Sequence, residues 1–357
     1  MKVLIVGPYP PPYGGISVHI KRMKAYLENQ NVEAIVYNED NTSNTIGIKK
    51  ISSYKSFLLK LPFIDCDLFH FHTIAKNIRM VLGFYTFFGK KVVLTIHGES
   101  IKEQLSGSNA LVKKVFLKSL NRMHRIICVN PKTKEDLISF GISDNIISVL
   151  PAYIKPMEFD EDFHKIPDDL YSFMQRPGFT ICSNGFIKFH NNEDLYGLDL
   201  LVGLMDRLTR DNINVKLVFA LLGSKTMNPE ENAYYDKIKT RINDLGLNDK
   251  IYIFEVIDSE LYPILKNCNM FIRPTNVDGY GVSIAEAIHY KLPCIASDVC
   301  KRPEGTIIFK SRNMDDLYEK TSDVLNNING YKEKLGFITN KDYALELYLI
   351  YKELSNS

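Results

Sequence analysis

Residues 271–288 read Phe-Ile-Arg-Pro-Thr-Asn-Val-Asp-Gly-Tyr-Gly-Val-Ser-Ile-Ala-Glu-Ala-Ile. The apolar opening predicts a short strand over Asn269–Arg273. The glycines predict a loop, and the run after them predicts a helix starting near Val282. Such a helix leaves its first backbone N–H groups without partners. With the helix dipole behind them, these amides suit a phosphate. Asp278 falls in the loop and Glu286 one to two turns into the helix. Carboxylates at these places can accept hydroxyl hydrogen bonds from a ribose or a hexose. Read alone, the same residues also describe a glycine-rich turn, a solvated Asp278 and a Glu286 that favours the dipole.

Working outward, the same strand–loop–helix unit recurs along the chain. Lys2–Val6 is a short β-branched run that ends in the Pro- and Gly-rich loop Gly7–Gly15, and Ser17–Asn29 carries apolar residues at helical spacing. Val32–Tyr37, Leu68–Phe71, Lys91–Ile96 and Arg125–Val129 read as further strands, and Leu111–His124 as a basic amphipathic helix. Leu150–Gly178 is rich in proline and acid and lacks a strong period, which predicts a linker. Strands are then predicted at Phe179–Cys182, Val215–Leu222, Ile251–Val256, Cys294–Ala296 and Thr306–Phe309. Helices are predicted at Leu198–Leu208, Asn232–Leu245, Gly281–Tyr290, Asp315–Asn326 and Lys341–Leu354. This alternation predicts an α/β chain of two Rossmann-like, doubly wound parallel-sheet domains facing a cleft. The expected domains span residues 1–160 and 161–338, with 339–357 a terminal helix.

Composition narrows the class. The 357 residues are 45% hydrophobic and 24% charged, as in ordinary globular proteins. The longest apolar stretch, near Met80–Phe88, is far shorter than the ~20 residues of a membrane span. No leader peptide is read in the first residues, which points to the cytoplasm. The six cysteines form no C-x-x-C pair, so buried free thiols are expected. Residues 1–150 carry a balance of +9 and the remainder −7. The basic half contains no nucleic-acid recognition motif, so no nucleic-acid partner is expected. The first loop is not G-x-G-x-x-G, which disfavours a dehydrogenase.

The 271–288 stretch resembles the E-x7-E motif of retaining GT-B glycosyltransferases of the family 4 type, with Asp278 and Glu286 in the acidic positions. His289–Asp298 resembles that family's next loop and strand. Val3–Gly15 resembles its first strand and glycine loop, and Val92–Gly98 its fourth strand with His97 at the end. The resemblance covers nearly the whole chain in the family's order. It implies a GT-B fold whose last helix crosses back to the N-terminal domain. It also implies metal-independent hexosyl transfer, without a cofactor, from a nucleoside-diphosphate sugar, expected to be UDP-linked. The implied acceptor is a glycan or lipid-linked molecule in bacterial surface polysaccharide synthesis: capsule, O-antigen or exopolysaccharide. Carried over by position, Glu286 holds the ribose, Asp278 meets the donor sugar and His97 contacts the reacting sugar. Gly14, Gly15, Gly279, Tyr280, Gly281 and Val282 approach the diphosphate or sugar.

The chain departs from the family at one place. An Arg and a Lys usually face the diphosphate in a G-R-L…K-G pattern, where this chain reads Gly185-Phe186-Ile187 and Tyr196-Gly197. Lys188, Arg273 and Arg302 are the candidate replacements. A structural salt bridge from Arg273 to Asp278 or Glu304 is the competing reading. For His97 the competing reading is a hydrogen-bonded core residue. His70 and His72 share one strand face and with His97 could in principle bind a metal, but no carboxylate or Cys completes a recognisable set, so no metal is expected. The segments 53–63 and 111–125 mix Lys and Arg with large apolar residues. They suit either an anionic membrane surface or ordinary packing with a solvated basic face. Two rival functions stay open: a non-catalytic sugar-nucleotide-binding or partner subunit, and a sugar-nucleotide epimerase.

Overall fold

The computed structural model describes residues 1–39, 47–98, 100–338, 341 and 343–356. It divides into one unit of Met1–Met157 with Asp342–Ser357 and a second of Glu158–Lys341. Residues 339–340, 342 and 357 of the expected C-terminal segment lie outside the described residues.

In the first unit the strands are β1 (Lys2–Gly7), β2 (Glu33–Asn38), β3 (Ile48–Lys50), β4 (Leu68–Phe71), β5 (Lys91–Ile96), β6 (Arg125–Cys128) and β7 (Ile147–Val149). They form a parallel sheet of order β3-β2-β1-β4-β5-β6-β7. Residues Val3 to Val6 and Val92 to Ile96 are all buried, because helices cover both faces of such a sheet. The chain leaves β1 for β2 on one side and later enters β4 on the other. The β1/β4 junction is therefore the switch point, where ligands gather at the carboxyl ends. The helix Tyr343–Asn356 belongs to this unit, as the resemblance implies. Its Ala344, Leu347, Tyr348, Tyr351 and Leu354 join the core beside Val3, Ile5 and Ile20. Tyr351 meets His70 through its hydroxyl, and Glu353 pairs with Arg125 at 2.8 Å.

The second unit holds β8 (Phe179–Gly185), the hairpin β9 (Phe189–His190) and β10 (Glu193–Asp194), then β11 (Val215–Leu222), β12 (Ile251–Val256), β13 (Met270–Arg273), β14 (Cys294–Ser297) and β15 (Thr306–Phe309). Its main sheet has the order β12-β11-β8-β13-β14-β15, so its switch point lies between β8 and β13. The division falls just before Glu158 because the next residues bond inside this unit. Glu158 pairs with Lys266 at 2.6 Å, and the Phe159 N–H donates to the Tyr262 hydroxyl at 2.9 Å.

The structure corrects the expected linker over Leu150–Gly178. Helices Asp160–His164 and Asp168–Gln175 occupy much of it from residue 160 on. Leu170, Phe173 and Met174 fall at i, i+3 and i+4 and bury with Ile166 against Cys182, Val218 and Phe271. The acids that made the segment look like a linker sit in the first turns, where they meet the positive helix end. Buried Lys216 of β11 closes the second helix by donating to the Phe173 and Met174 carbonyls at 3.2 and 3.0 Å and to that of Arg176.

Candidate functional site

β13 ends in Arg273, and the loop behind it brings Asp278 back to the arginine. Asp278 Oδ2 accepts from Arg273 Nε at 2.5 Å and from Arg302 Nη1 at 2.7 Å. Its Oδ1 accepts the Gly279 N–H at 3.0 Å. Burial alone raises this carboxyl, but the Arg273 and then the Arg302 guanidinium overcome burial and hold it well below the usual carboxylate range. Two cations on one carboxylate leave a formal charge of +1 at the β8/β13 switch point.

The two arginines are held differently. The Arg302 side chain is only 1% exposed, and its donors turn inward. Nε donates to Ser297 O at 2.9 Å, and Nη2 donates to Thr275 Oγ1 at 3.1 Å and Ser297 Oγ at 2.9 Å. Arg273 Nη1 donates to Asn184 Oδ1 at 3.4 Å and Ser283 Oγ at 3.3 Å, while its Nη2 makes no hydrogen bond to a described residue. Ser283 is the second residue of the helix Val282–His289, so this guanidinium lies at the first helical turn. Gly281 opens that helix at φ +88°. A Cβ there would come within 2.6 Å of Ile284 Cδ1 and 3.2 Å of Arg302 Nη1. No side chain caps this helix and no acid occupies its first turn.

The neighbouring helix Leu198–Arg210 contrasts with it. Asp194 accepts from the N–H groups of Tyr196, Gly197, Leu198 and Asp199, at 2.9 to 3.4 Å. Its N-terminus is therefore filled by the chain's own carboxylate. Lys188 pairs with Glu231 at 2.5 Å, at the capped start of the helix Pro229–Asp244, and does not join the two arginines. Of the two readings held open for Arg273, the ion pair with Asp278 is found. Asp278, expected to meet the donor sugar, has its Oδ2 engaged by both guanidinium groups. Tyr196, in the family's lysine neighbourhood, lies under Arg273, with Cζ 5.5 Å from its ring centre. Glu286 is buried inside its helix. Its charge reaches Cys182 of β8, whose thiol is pushed up by Cys268, by burial and then by Glu286. Gly279 and Tyr280 lie in the loop between Asp278 and Gly281.

In the first unit, Gly14 begins the helix Gly15–Asn29, whose first turn also lacks an acid. Ser17 Oγ accepts the Gly14 N–H at 2.9 Å and donates to Pro12 O at 2.8 Å, which closes the loop. A Cβ on Gly15 would meet nothing within 4 Å, so the protein itself does not require a glycine there. His97 follows β5 with Nε2 2.8 Å from Nδ1 of His72, which follows β4. Both rings are held neutral, their pKa values lowered by burial first and by neighbouring charges second. His70 is engaged elsewhere, bonded to Tyr351 and, at 2.7 Å, to Thr95 Oγ1. His19 joins His72 and His97, with ring centres 5.2 and 5.3 Å away. Sequence reasoning passed over His19, and its only signal was a polar residue on the buried stripe of an amphipathic helix.

Two family models match the chain: "Glycosyl transferases group 1" over residues 184–336 and "Glycosyltransferase Family 4" over residues 13–156. The chain is 22% identical to an uncharacterized glycosyltransferase of Methanocaldococcus jannaschii, over 92% of this chain and 89% of that one. Its fold is similar to Anabaena Alr3699/HepE in complex with UDP-glucose, at TM-score 0.68 and 13% identity, covering 100% of this chain and 98% of that one. It is also similar to the lipopolysaccharide outer core galactosyltransferase WaaB, at TM-score 0.61 and 16% identity, covering 99% of each chain. Together the two models cover most of the sequence, and the chain belongs to the family 4 type of GT-B glycosyltransferases.

Proposed function

We propose that this glycosyltransferase takes its sugar from a UDP-sugar, retains the anomeric configuration, and places the donor diphosphate at the start of the helix Val282–His289. One observation carries this placement: an uncapped, acid-free helix start with a guanidinium beside it, next to a helix whose own start is filled by Asp194. Arg273 supplies the charge that the family draws from its Arg and Lys. Arg302 and Asp278 fix its position. The leaving diphosphate gains negative charge as the glycosidic bond breaks, and fixed amides and a fixed guanidinium stabilise that charge without reorganising. In this reading Glu286 holds the ribose and His97 contacts the reacting sugar. The acceptor attacks from the face the diphosphate leaves, and a diphosphate oxygen takes its proton. The UDP-glucose complex of the Anabaena neighbour supports uridine as the base.

Thermal-shift titration with UDP, GDP, ADP and their sugar conjugates tests the donor. A ligand at ~100 times its dissociation constant adds about 2.7 kcal/mol of stability. UDP and UDP-sugars are expected to raise the melting temperature. No shift with any nucleotide would overturn the enzyme reading in favour of a partner subunit without a donor site.

The acceptor reading is a glycan or lipid-linked acceptor of bacterial surface polysaccharide, supported by the lipopolysaccharide role of the WaaB neighbour. No helix among the described residues is long and apolar enough to cross a membrane. Contact with a bilayer would be made at a surface. The turns Leu61–Phe63 and Gly83–Phe88 pack on each other, and the second packs on the helix Ala110–Leu120. With the preceding helix Tyr54–Lys60 they expose Leu59, Phe63, Phe87, Phe88 and Leu111 together with Lys55, Lys60 and Lys114, and Arg122 lies over the Phe87 ring. Apolar side chains ringed by lysines match an anionic interface, where each cation contributes about 1 kcal/mol. The chain is expected to sediment with phosphatidylglycerol vesicles and not with phosphatidylcholine vesicles. The double change Phe63→Ser and Phe87→Ser is expected to lower that binding at least about tenfold. Equal binding to both vesicle types would rule the surface out.

A further inference from the structure

We propose that His19, His72 and His97 form a binding site for a divalent transition-metal ion of the zinc class, held by three imidazole nitrogens with a fourth position open. The three come from separate elements that meet at one place. His19 lies on the helix after β1, His72 follows β4 and His97 follows β5. β1, β4 and β5 are adjacent, so the rings gather at the carboxyl ends around the switch point of the first sheet. One ring nitrogen from each lies within 4.8 Å of the others.

The chemistry of His19 points to a ligand. Its Nδ1 lies 2.7 Å from the Ala152 carbonyl, which can only accept, so Nδ1 carries the proton. In the neutral ring the lone pair is then on Nε2. That atom is buried and has no hydrogen-bond partner, although the residue is only 5% exposed. An unmet buried acceptor is costly, and a metal would satisfy it. An imidazole oriented through its other nitrogen by a backbone carbonyl is the usual outer support of a metal-bound histidine.

His72 and His97 are compatible with the same ion. Each neutral ring carries one proton. One of the two facing nitrogens donates to the other, so a single tautomer change, ending with the protons on His72 Nε2 and His97 Nδ1, frees both facing lone pairs, and no proton leaves the protein. Burial is the main reason the rings are neutral, with His19 pushed down to about 4, and neutral imidazole is the metal-binding form. His70 is excluded because both its nitrogens are engaged. Tetrahedral zinc, with Zn–N of about 2.0–2.1 Å, places ligand nitrogens about 3.4 Å apart. The His72–His97 pair would open from 2.8 Å and His19 would move in by about an ångström. His97 is half-buried, the least enclosed of the three. The Arg79 guanidinium is close enough to act on His97. It disfavours a bare dication and favours an anionic oxygen, such as hydroxide, in the fourth position. The site shares His97 with the donor reading, so metal uptake is measured on the chain without nucleotide or sugar.

The test uses the full chain freed of metal, titrated with Zn²⁺ by calorimetry and with Co²⁺ by visible absorption. One ion per chain is expected, with the spectrum of tetrahedral cobalt and no thiolate charge-transfer band. Zn²⁺ is expected to raise the melting temperature. His19→Gln and His72→Ala are expected to weaken binding at least about 100-fold. Circular dichroism verifies that each variant is folded. His190→Ala, in the exposed hairpin, is expected to bind as the parent does. Uptake of no ion by the parent chain would overturn the proposal. So would undiminished binding in folded His19→Gln, or a cobalt spectrum of thiolate or octahedral type.

Discussion

Replacing Asp278 with alanine is expected to destabilise the second unit by about 3–5 kcal/mol, because it leaves two guanidinium groups facing each other without their shared anion. The Arg302 side chain is 1% exposed and those of Arg273 and Asp278 are each 12% exposed, so little solvent screens the two cations once the carboxylate is gone. Arg302 has no way out, because its remaining bonds to Ser297 and Thr275 hold it in place. Asp278→Asn keeps the shape and an acceptor for the Gly279 N–H, and so separates loss of charge from loss of volume. The pH dependence has a definite sign. The folded carboxyl titrates lower than the unfolded one. Its contribution is therefore complete above the unfolded value near 4 and is lost as the pH falls below that value. Denaturant unfolding of the parent and the two variants at pH 7 and pH 3 measures both effects, since only the parent carries the titrating carboxyl. A cost under about 1 kcal/mol for alanine at pH 7 would show that the carboxylate contributes little to holding the arginines.

Arg273→Ala is expected to weaken UDP binding roughly 10- to 150-fold, the equivalent of about 1.5–3 kcal/mol for a charge-assisted hydrogen bond. The fold should tolerate this change better than loss of Asp278, since Arg302 still neutralises the carboxylate. Arg302→Ala gives the opposite signature. Its N–H groups serve the protein, so stability falls first and affinity only through it. Calorimetry with UDP on all three variants, beside their unfolding curves, separates the ligand-facing arginine from the internal one. Unchanged UDP affinity in a folded Arg273→Ala variant would remove the arginine from the donor site.

The sheets were legible because buried parallel strands are continuous apolar runs. Leu68–Phe71, Lys91–Ile96, Val215–Leu222, Ile251–Val256 and Thr306–Phe309 coincide with the strands observed. The helix Asp168–Gln175 is hidden because its composition and its eight-residue spacing point in opposite directions. Its two leading acids and the nearby prolines signalled a linker, while three apolar residues on one stripe carried the packing. The site was legible as far as local spacing reaches. Arg273, Asp278 and Gly281 lie within one strand–loop–helix unit. The carboxylate's second partner is 24 residues away, and the carbonyl that orients His19 is 133 residues away. No periodicity records such meetings, which the sheet order creates. The glycine loop and His97 are singled out by resemblance rather than by spacing, and nothing in the sequence signals the engagement of His70 by the last helix.

The return of the last helix to the first sheet also sets an order of events at the ribosome. The unit synthesised first lacks Ala344, Leu347, Tyr348, Tyr351 and Leu354 until those residues are made. At about 5–20 residues per second, the intervening Glu158–Lys341 takes roughly 10–40 s to emerge. During that time the second unit can close its own core, while the faces of Val3, Ile5 and Ile20 wait uncovered. The half of the protein that is made first is therefore the half that finishes last, and a nascent chain stalled before Tyr343 would expose that apolar seam to chaperones.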